Sequence, residues 1–251
     1  MKSLWVVPGK RVTVGVLIGS LLFATGVAAE EDWGFDLSAY GWLPIIETES
    51  DSGDKSEITR SDIVDNLDMA AMWAARARKG KWSLSSDFIY FDLSNDDDSP
   101  SGPLLELDKV GLKAWVVTPT IGYTVHHTDK QSVDLYAGAR YIWLEADLTF
   151  KSIAPLLPGS RKATDSASKW DAIVGVRGTY RLSDKWYIPY NVNAGTGQSD
   201  YTWQANGAVA YEFSKLDAVF GWRYLTWDFG DDSSIKDLTV NGPFVGAIFH
   251  W

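Results

Sequence analysis

The chain has 251 residues, with 23 Lys and Arg against 33 Asp and Glu for a net charge of −10, and it contains no cysteine. An acidic balance of this size argues against nucleic acid, whose binding needs clustered basic residues. The missing cysteines exclude a disulfide frame and a lipid-attached anchor, so stability has to come from packing and hydrogen bonding.

At the start of the chain, Lys2, Lys10 and Arg11 precede an apolar run from Val12 to Val27 that closes on Val27-Ala28-Ala29. A basic region, a short apolar region and a small-residue end describe a secretory signal peptide over residues 1–29, with a mature domain over 30–251. An uncleaved anchor is the alternative, but the run falls short of the roughly 20 residues that a spanning helix needs. Cleavage would remove three basic and no acidic residues, taking the formal charge from −10 to −13. No later run reaches the length of a transmembrane helix. The 13 Trp, 11 Tyr and 10 Phe make 14 % aromatic residues, and amphipathic rings of this kind favour the two interfaces of a membrane. Mean hydropathy is only −0.13, as expected where apolar and polar residues alternate.

The first alternating stretch is Trp33 to Leu43. Residues 44 to 68 then form a long connection in which Glu57-Ile58-Thr59 can pair as a strand. In the same connection, Ser61 to Leu67 opens with a Ser cap and places apolar residues at 63, 64 and 67, the spacing of a short helix. From residue 69 onward one plan repeats, with strands predicted at 69–78, 82–93, 109–126, 132–150, 168–182, 185–194, 201–213, 217–229 and 237–251. Tight turns at Arg78-Lys79-Gly80-Lys81, His127-Thr128-Asp129-Lys130, Ser183-Asp184-Lys185 and Ser214-Lys215-Leu216-Asp217 alternate with longer links at 94–107, 151–168, 195–200 and 230–237. The pattern predicts an all-β fold, an antiparallel up-and-down transmembrane barrel of about ten strands with short periplasmic turns and longer extracellular loops. The count becomes twelve if residues 53–67 form a further hairpin, and eight is the other alternative.

The two faces of the strands separate by alternation. In 168–182 the even positions Trp170, Ala172, Val174, Val176 and Tyr180 suit lipid, while Asp171, Arg177 and Arg181 suit a polar interior. In 201–213, Tyr201, Trp203, Val209, Tyr211 and Phe213 separate in the same way from Thr202, Gln204, Asn206 and Glu212. Pro119 and Pro189 interrupt two predicted strands, each on a face read as inward. Over all strands the inward charges are Asp36, Arg76, Arg78, Asp87, Lys113, Arg140, Asp171, Arg177, Arg181, Glu212 and Arg223. A ten-stranded barrel is only slightly wider than the eight-stranded kind that side chains fill, far below the roughly 16 strands of open porins. Opposite charges in so narrow a lumen are expected to pair into a network that blocks bulk flow. The alternative is a narrow conduit whose excess of basic over acidic residues would favour small anions.

The last segment carries Val245, Ala247, Phe249 and Trp251 on one face. A terminal aromatic preceded by apolar residues at every second position resembles the C-terminal assembly signal of bacterial outer-membrane barrels. It implies recognition by the barrel-assembly machinery and location in the outer membrane of a Gram-negative cell, among lipids and lipopolysaccharide.

Catalysis in small barrels generally uses a His as base near the extracellular rim. The three histidines here, His126, His127 and His250, all fall at the periplasmic end, so no catalytic residues are expected and the protein is read as a non-enzyme. The acidic stretches Glu47, Glu49, Asp51 and Asp54, then Asp96-Asp97-Asp98, then Asp231-Asp232 face outward, but they lack the spacing and glycine of a calcium loop. No metal site or cofactor is expected. Ala39-Tyr40-Gly41-Trp42-Leu43-Pro44, Asp65-Asn66-Leu67-Asp68, Arg78-Lys79-Gly80-Lys81-Trp82, Gly221-Trp222-Arg223-Tyr224-Leu225 and Gly242-Pro243-Phe244 together resemble a group of uncharacterised proteobacterial outer-membrane barrel proteins. That resemblance covers most of the mature chain and implies fold and location only. The expected role is structural or surface-interacting, with a narrow transporter as the competing reading and a lipid-surface enzyme as the third.

Overall fold

A strand in lipid must bond its backbone amides to neighbouring strands, and the computed structural model of this chain does so by closing a sheet on itself. It describes residues 32–50, 53, 55–100, 105–152, 160–230 and 235–251. The expected signal segment and its cleavage point lie outside these residues, as do Asp51, Asp54, Asp231 and Asp232. The elements are β1 (Gly34–Trp42), β2 (Ile45–Ser50), β3 (Lys55–Ile58), α1 (Arg60–Asn66), β4 (Leu67–Lys79), β5 (Trp82–Pro100), β6 (Leu105–His127), β7 (Gln131–Ser152), β8 (Ser160–Arg181), β9 (Trp186–Gly197), β10 (Tyr201–Glu212), β11 (Leu216–Asp228) and β12 (Ile235–His250).

Ten of these strands, β1 and β4 to β12, pair in succession as antiparallel neighbours, and the ring closes where β1 pairs with β12 from Asp36↔His250 to Trp42↔Phe244. The remaining two, β2 and β3, form a hairpin laid along the far half of β12, from Asn241↔Ile45 to Ile235↔Ser50. One strand of β12 thus serves two partners in turn, and the chain crosses between them at Leu43-Pro44. That crossing passes so close to Gly242 that a Cβ there would lie 2.4 Å from the Leu43 carbonyl oxygen. The β1–β4 ladder stops at Ala39↔Trp73, and beyond that point the hairpin and α1 continue the wall. The helix is capped by Thr59, two residues before the expected Ser61: the Asp62 amide donates to Thr59 Oγ1 at 3.4 Å and the Thr59 amide donates to Asp62 at 2.9 Å, a reciprocal capping box.

Aromatic side chains form two belts. At the end bearing the longer loops, Trp73 stacks on Phe88 at 5.5 Å, Trp115 meets Tyr90 at 5.5 Å and Trp143 at 6.4 Å, and Trp203 stacks on Tyr224 at 4.6 Å. At the end bearing the tight turns, Phe35 stacks on Trp251 at 6.2 Å and Trp186 meets Tyr211 at 4.9 Å, with Lys79 over Trp33 and Lys185 over Tyr211. Trp170 and Tyr180, one in each belt on β8, are about ten residues apart. At ~3.3 Å per residue and a tilt of ~40° they bracket a band of about 25 Å, the height of a barrel's apolar girdle. Exposed Val174, Leu135, Val192, Phe220 and Val245 fill that band.

Three expectations need correction. The segments expected as links at 94–107 and 151–168 are largely strand: β5 and β6 stay paired from Asp96↔Lys109 to Pro100↔Glu106, and β7 and β8 to Lys151↔Ser160. Beyond the lipid both faces of a sheet meet water, so the alternation that marks a strand in sequence disappears there. Lys113 and Pro119 point outward. On β6 it is Ala114, Val116 and Thr118 that are buried while Trp115 is exposed, and Lys113 pairs on the outer face with Asp92 at 3.7 Å. Pro119 lies beside Ile121 and Ala137. Pro189 does face the interior.

Because Gly242 sits where the wall changes partner, Gly242→Val is expected to cost about 1–3 kcal/mol through overpacking. It should be read as an earlier urea midpoint in detergent micelles. Gly207→Ala, whose added methyl meets open space, should stay within about 0.5 kcal/mol of the parent.

Candidate functional site

The interior is built in three layers. Toward the loop end the inward positions are apolar: Trp42, Ile46, Ile89, Leu93, Leu225, Trp227 and Val240 pack into one cluster, joined by Ile63 from α1. Trp227 and Leu225 are 1 % exposed and Ile89 2 %. Burying side chains of this size contributes about 1.5–3 kcal/mol each, and the cluster packs as a domain core would.

Below it lies a buried polar layer. Arg223 donates to Tyr40 Oη at 3.0 Å and to Gln204 Oε1 at 2.8 Å, meets Asp87 at 2.9 Å, and sits over the Trp42 ring at 5.0 Å. Tyr40 Oη in turn donates to Asp87 at 2.5 Å. Arg140, fully buried, donates to Asn193 at 2.6 Å, Thr202 at 2.9 Å and Gln204 at 3.4 Å. Among the described residues no carboxylate reaches it. Asp171, which faces Arg140 across the β7–β8 ladder, instead accepts from the Ser199 amide at 2.8 Å and the Ser199 hydroxyl at 2.9 Å.

The third layer lines the turn end. Arg177 is held by Asp134 at 3.4 Å and by the hydroxyls of Ser85 at 2.5 Å and Ser83 at 2.9 Å. Asp36 receives Arg76 at 2.9 Å, Arg78 at 3.1 Å and His250 Nδ1 at 2.7 Å. The other ring nitrogen of His250 lies 2.8 Å from Asp217, which also accepts from Tyr187 Oη at 2.5 Å. Arg181 pairs with Glu212 at 3.0 Å near the mouth. A cavity of about 1290 Å³ occupies this region, reaching from the turn residues Lys81, Lys130 and Lys215 up to Tyr40, Asp87 and Arg223. It is a cup, open at the turn end and floored by the Arg223 layer.

Of the charges singled out from sequence, Asp36, Arg76 and Arg78 meet in one cluster, Asp87 and Arg223 in a second, and Arg181 and Glu212 in a third. Arg177 is held by Asp134, while Arg140 and Asp171 are buried with neutral partners and Lys113 is outside. Asp134, Asp217, Tyr187 and His250 were missed. For His250 a signal was present: the alternation that turns Trp251 outward turns His250 inward. Val245, Phe249 and Trp251 are exposed on the outer face, with Ala247 in the same register.

No family model and no curated sequence matches the chain. Among solved structures the fold is similar to the outer membrane protease OmpT from Escherichia coli, at 10% identity over 90% of this chain and 99% of that one, with a TM-score of 0.54. Two more distant likenesses are Ail, the attachment invasion locus protein of Yersinia pestis (11% identity, 88% and 99% covered, TM-score 0.36), and Neisserial surface protein A (13% identity, 86% and 96% covered, TM-score 0.36). At these identities the likeness to OmpT concerns the fold: the chain is a ten-stranded transmembrane β-barrel with an additional hairpin.

Removing one partner of a buried ion pair strands the other, so Arg223→Met should destabilise the barrel by about 3–5 kcal/mol. Adding Asp87→Leu should recover most of that loss. Urea titrations of both variants in micelles check the pair.

Proposed function

We propose that this protein resides in the outer membrane of a Gram-negative cell as a barrel closed to through-flow, with a structural or surface-interaction role and no enzymatic activity. What supports this reading is the packing of side chains in the interior: the Trp42–Trp227 apolar cluster adjoins the Arg223–Asp87–Tyr40 layer, with Arg223 over the Trp42 ring. An ion crossing the lumen would have to displace a packed core. In this orientation the tight turns face the periplasm and the longer loops face outward, following the asymmetry of known barrels. The aromatic belts suit contact with membrane lipids and lipopolysaccharide, and the outward stripe ending in Trp251 suits recognition by the barrel-assembly machinery.

The protease named among the fold neighbours lends no activity at 10% identity. His250 is the one histidine bonded to interior carboxylates in the described structure. Both of its ring nitrogens are engaged by them, so it ties β12 to β1 and β11 and has no free lone pair with which to act as a general base. A narrow anion conduit is the second reading, favoured by Arg76, Arg78 and Arg181 around the cup.

Planar-bilayer recordings of the purified barrel should show no discrete, reproducible openings; such openings would overturn the closed-lumen reading. Protease applied to intact cells should leave the turn at residues 127–130 uncut, and cleavage there would invert the orientation.

A further inference from the structure

Large apolar side chains such as Val174, Val192, Phe220 and Val245 fill the lipid-facing wall of the barrel. Across β1, β4, β5 and β6 the outer face is different. The register sets Leu37, Ala75, Ser86 and Pro119 side by side, and the row nearer the tight turns reads Phe35, Ala77, Leu84 and Ile121. Alternation turns all of these outward, so β4, β5 and β6 carry small residues where lipid contact calls for bulk. Pro119 adds to the hollow: without an amide to give, it leaves the β6–β7 ladder to pass from Val117↔Tyr141 to Thr120↔Gly138 with no pairs between. The result is a groove of about 720 Å³ whose exposed lining is almost wholly apolar. Phe35 and Leu37 wall one side, Leu84 and Ile121 the other.

The groove spans one leaflet. It begins in the turn-end belt, where Phe35 stacks on Trp33 at 6.0 Å and on Trp251 at 6.2 Å. It ends at Ala137, on the strand that carries Tyr141, whose ring meets Trp170 of the opposite belt at 4.7 Å. The four-residue step from Ala137 to Tyr141 is about 10 Å of depth on a tilted strand, so the groove stops inside the apolar band. At the open end the next outward residue of β4 after Ala77 is Lys79, which lies over the Trp33 ring at 5.7 Å and pairs in register with Trp82. Lys81 follows in the turn, and among the described residues neither lysine forms an ion pair. A positive charge therefore stands unmatched between two indole rings where the groove meets the membrane surface.

The hollow is continuous with a wall already in contact with lipid, and its one charged end is basic. A neutral lipid would leave that charge unmatched. We propose that the groove binds one anionic phospholipid, an acyl chain lying over Ala75 and Ala77 and the phosphate held at Lys79 between Trp33 and Trp82. That this leaflet is the periplasmic one rests on the orientation proposed above; the groove does not.

The test is native mass spectrometry of the full barrel, purified in detergent micelles and titrated with dipalmitoyl phosphatidylglycerol, dipalmitoyl phosphatidylcholine and glycerol phosphate. One phosphatidylglycerol should be retained, phosphatidylcholine at least about fivefold more weakly, and glycerol phosphate not at all. Ala75→Leu, which fills the groove on a face open to lipid, and Lys79→Gln should each weaken phosphatidylglycerol at least about fivefold. Lys185→Gln should leave it unchanged, because that lysine lies over Tyr211 among the large rings of Trp186 and Phe213. Equal retention of the two lipids, no retention, affinity unchanged in Ala75→Leu or Lys79→Gln, or an equal loss in Lys185→Gln would each overturn the proposal. So would a barrel dimer that Ala75→Leu abolishes, which would make a second copy the occupant. An uncut 127–130 turn on intact cells with no lipid retained refutes the groove alone; cleavage there with binding preserved refutes the orientation alone.

Discussion

A strand surrounded by hydrocarbon has no water to satisfy its amides, so each must find its partner inside the protein. In this chain the last of those partners are supplied by the β1–β12 ladder, and the rest of the structure depends on it. The ladder joins residues at opposite ends of the sequence, Asp36 with His250 and Trp42 with Phe244, so none of the ring is complete until the chain is. Its turn end is tied twice more, inside by His250 between Asp36 and Asp217 and outside by Phe35 on Trp251. Two adjacent residues, His250 and Trp251, therefore fasten the same seam from its two faces.

Closure also dictates where the wall can afford to open. The β1–β4 ladder ends at Ala39↔Trp73, and Trp73 belongs to the aromatic belt of the loop end. Past that belt water is available, so unpaired edge groups no longer carry the penalty they would in lipid. There β12 exchanges β1 for β2, and α1 inserts Ile63 into the interior cluster while Arg60 donates to the Leu43 carbonyl and lies over Trp222. The irregular first connection is thus part of the interior packing.

The interior divides sharply, with a dry core toward the loops and a charged, water-accessible cup toward the turns. This division explains which faces were legible in sequence. On β8 and β10 the inward residues Asp171, Arg177, Thr202 and Gln204 contrast with outward valines and tryptophans, and alternation reads correctly. On β6 the inward Ala114 and Val116 belong to or adjoin the dry core and look like lipid-facing residues, so the contrast vanishes and Lys113 and Pro119 were placed on the wrong face. The ambiguity is physical: a strand apolar on both faces carries no period-two polarity signal. Partner choice was less legible still. Asp87 and Arg223 meet from strands remote in sequence, and Arg140 holds Asn193 and Gln204 while its ladder neighbour Asp171 turns to Ser199.

The sequence by itself determined the barrel class, an aromatic girdle at each end of the strands and the positions of the tight turns, while leaving the strand count at about ten with eight or twelve open. These follow from local periodicity and turn chemistry, which neighbouring residues encode without reference to the rest of the chain. Only the tertiary structure decided that an apolar cluster packs inside the loop end, that a cup remains at the turn end, and that His250 joins Asp36 to Asp217. Those features arise when side chains from strands far apart in sequence converge across a closed ring, and the register and curvature that bring them together exist only once the ring has formed.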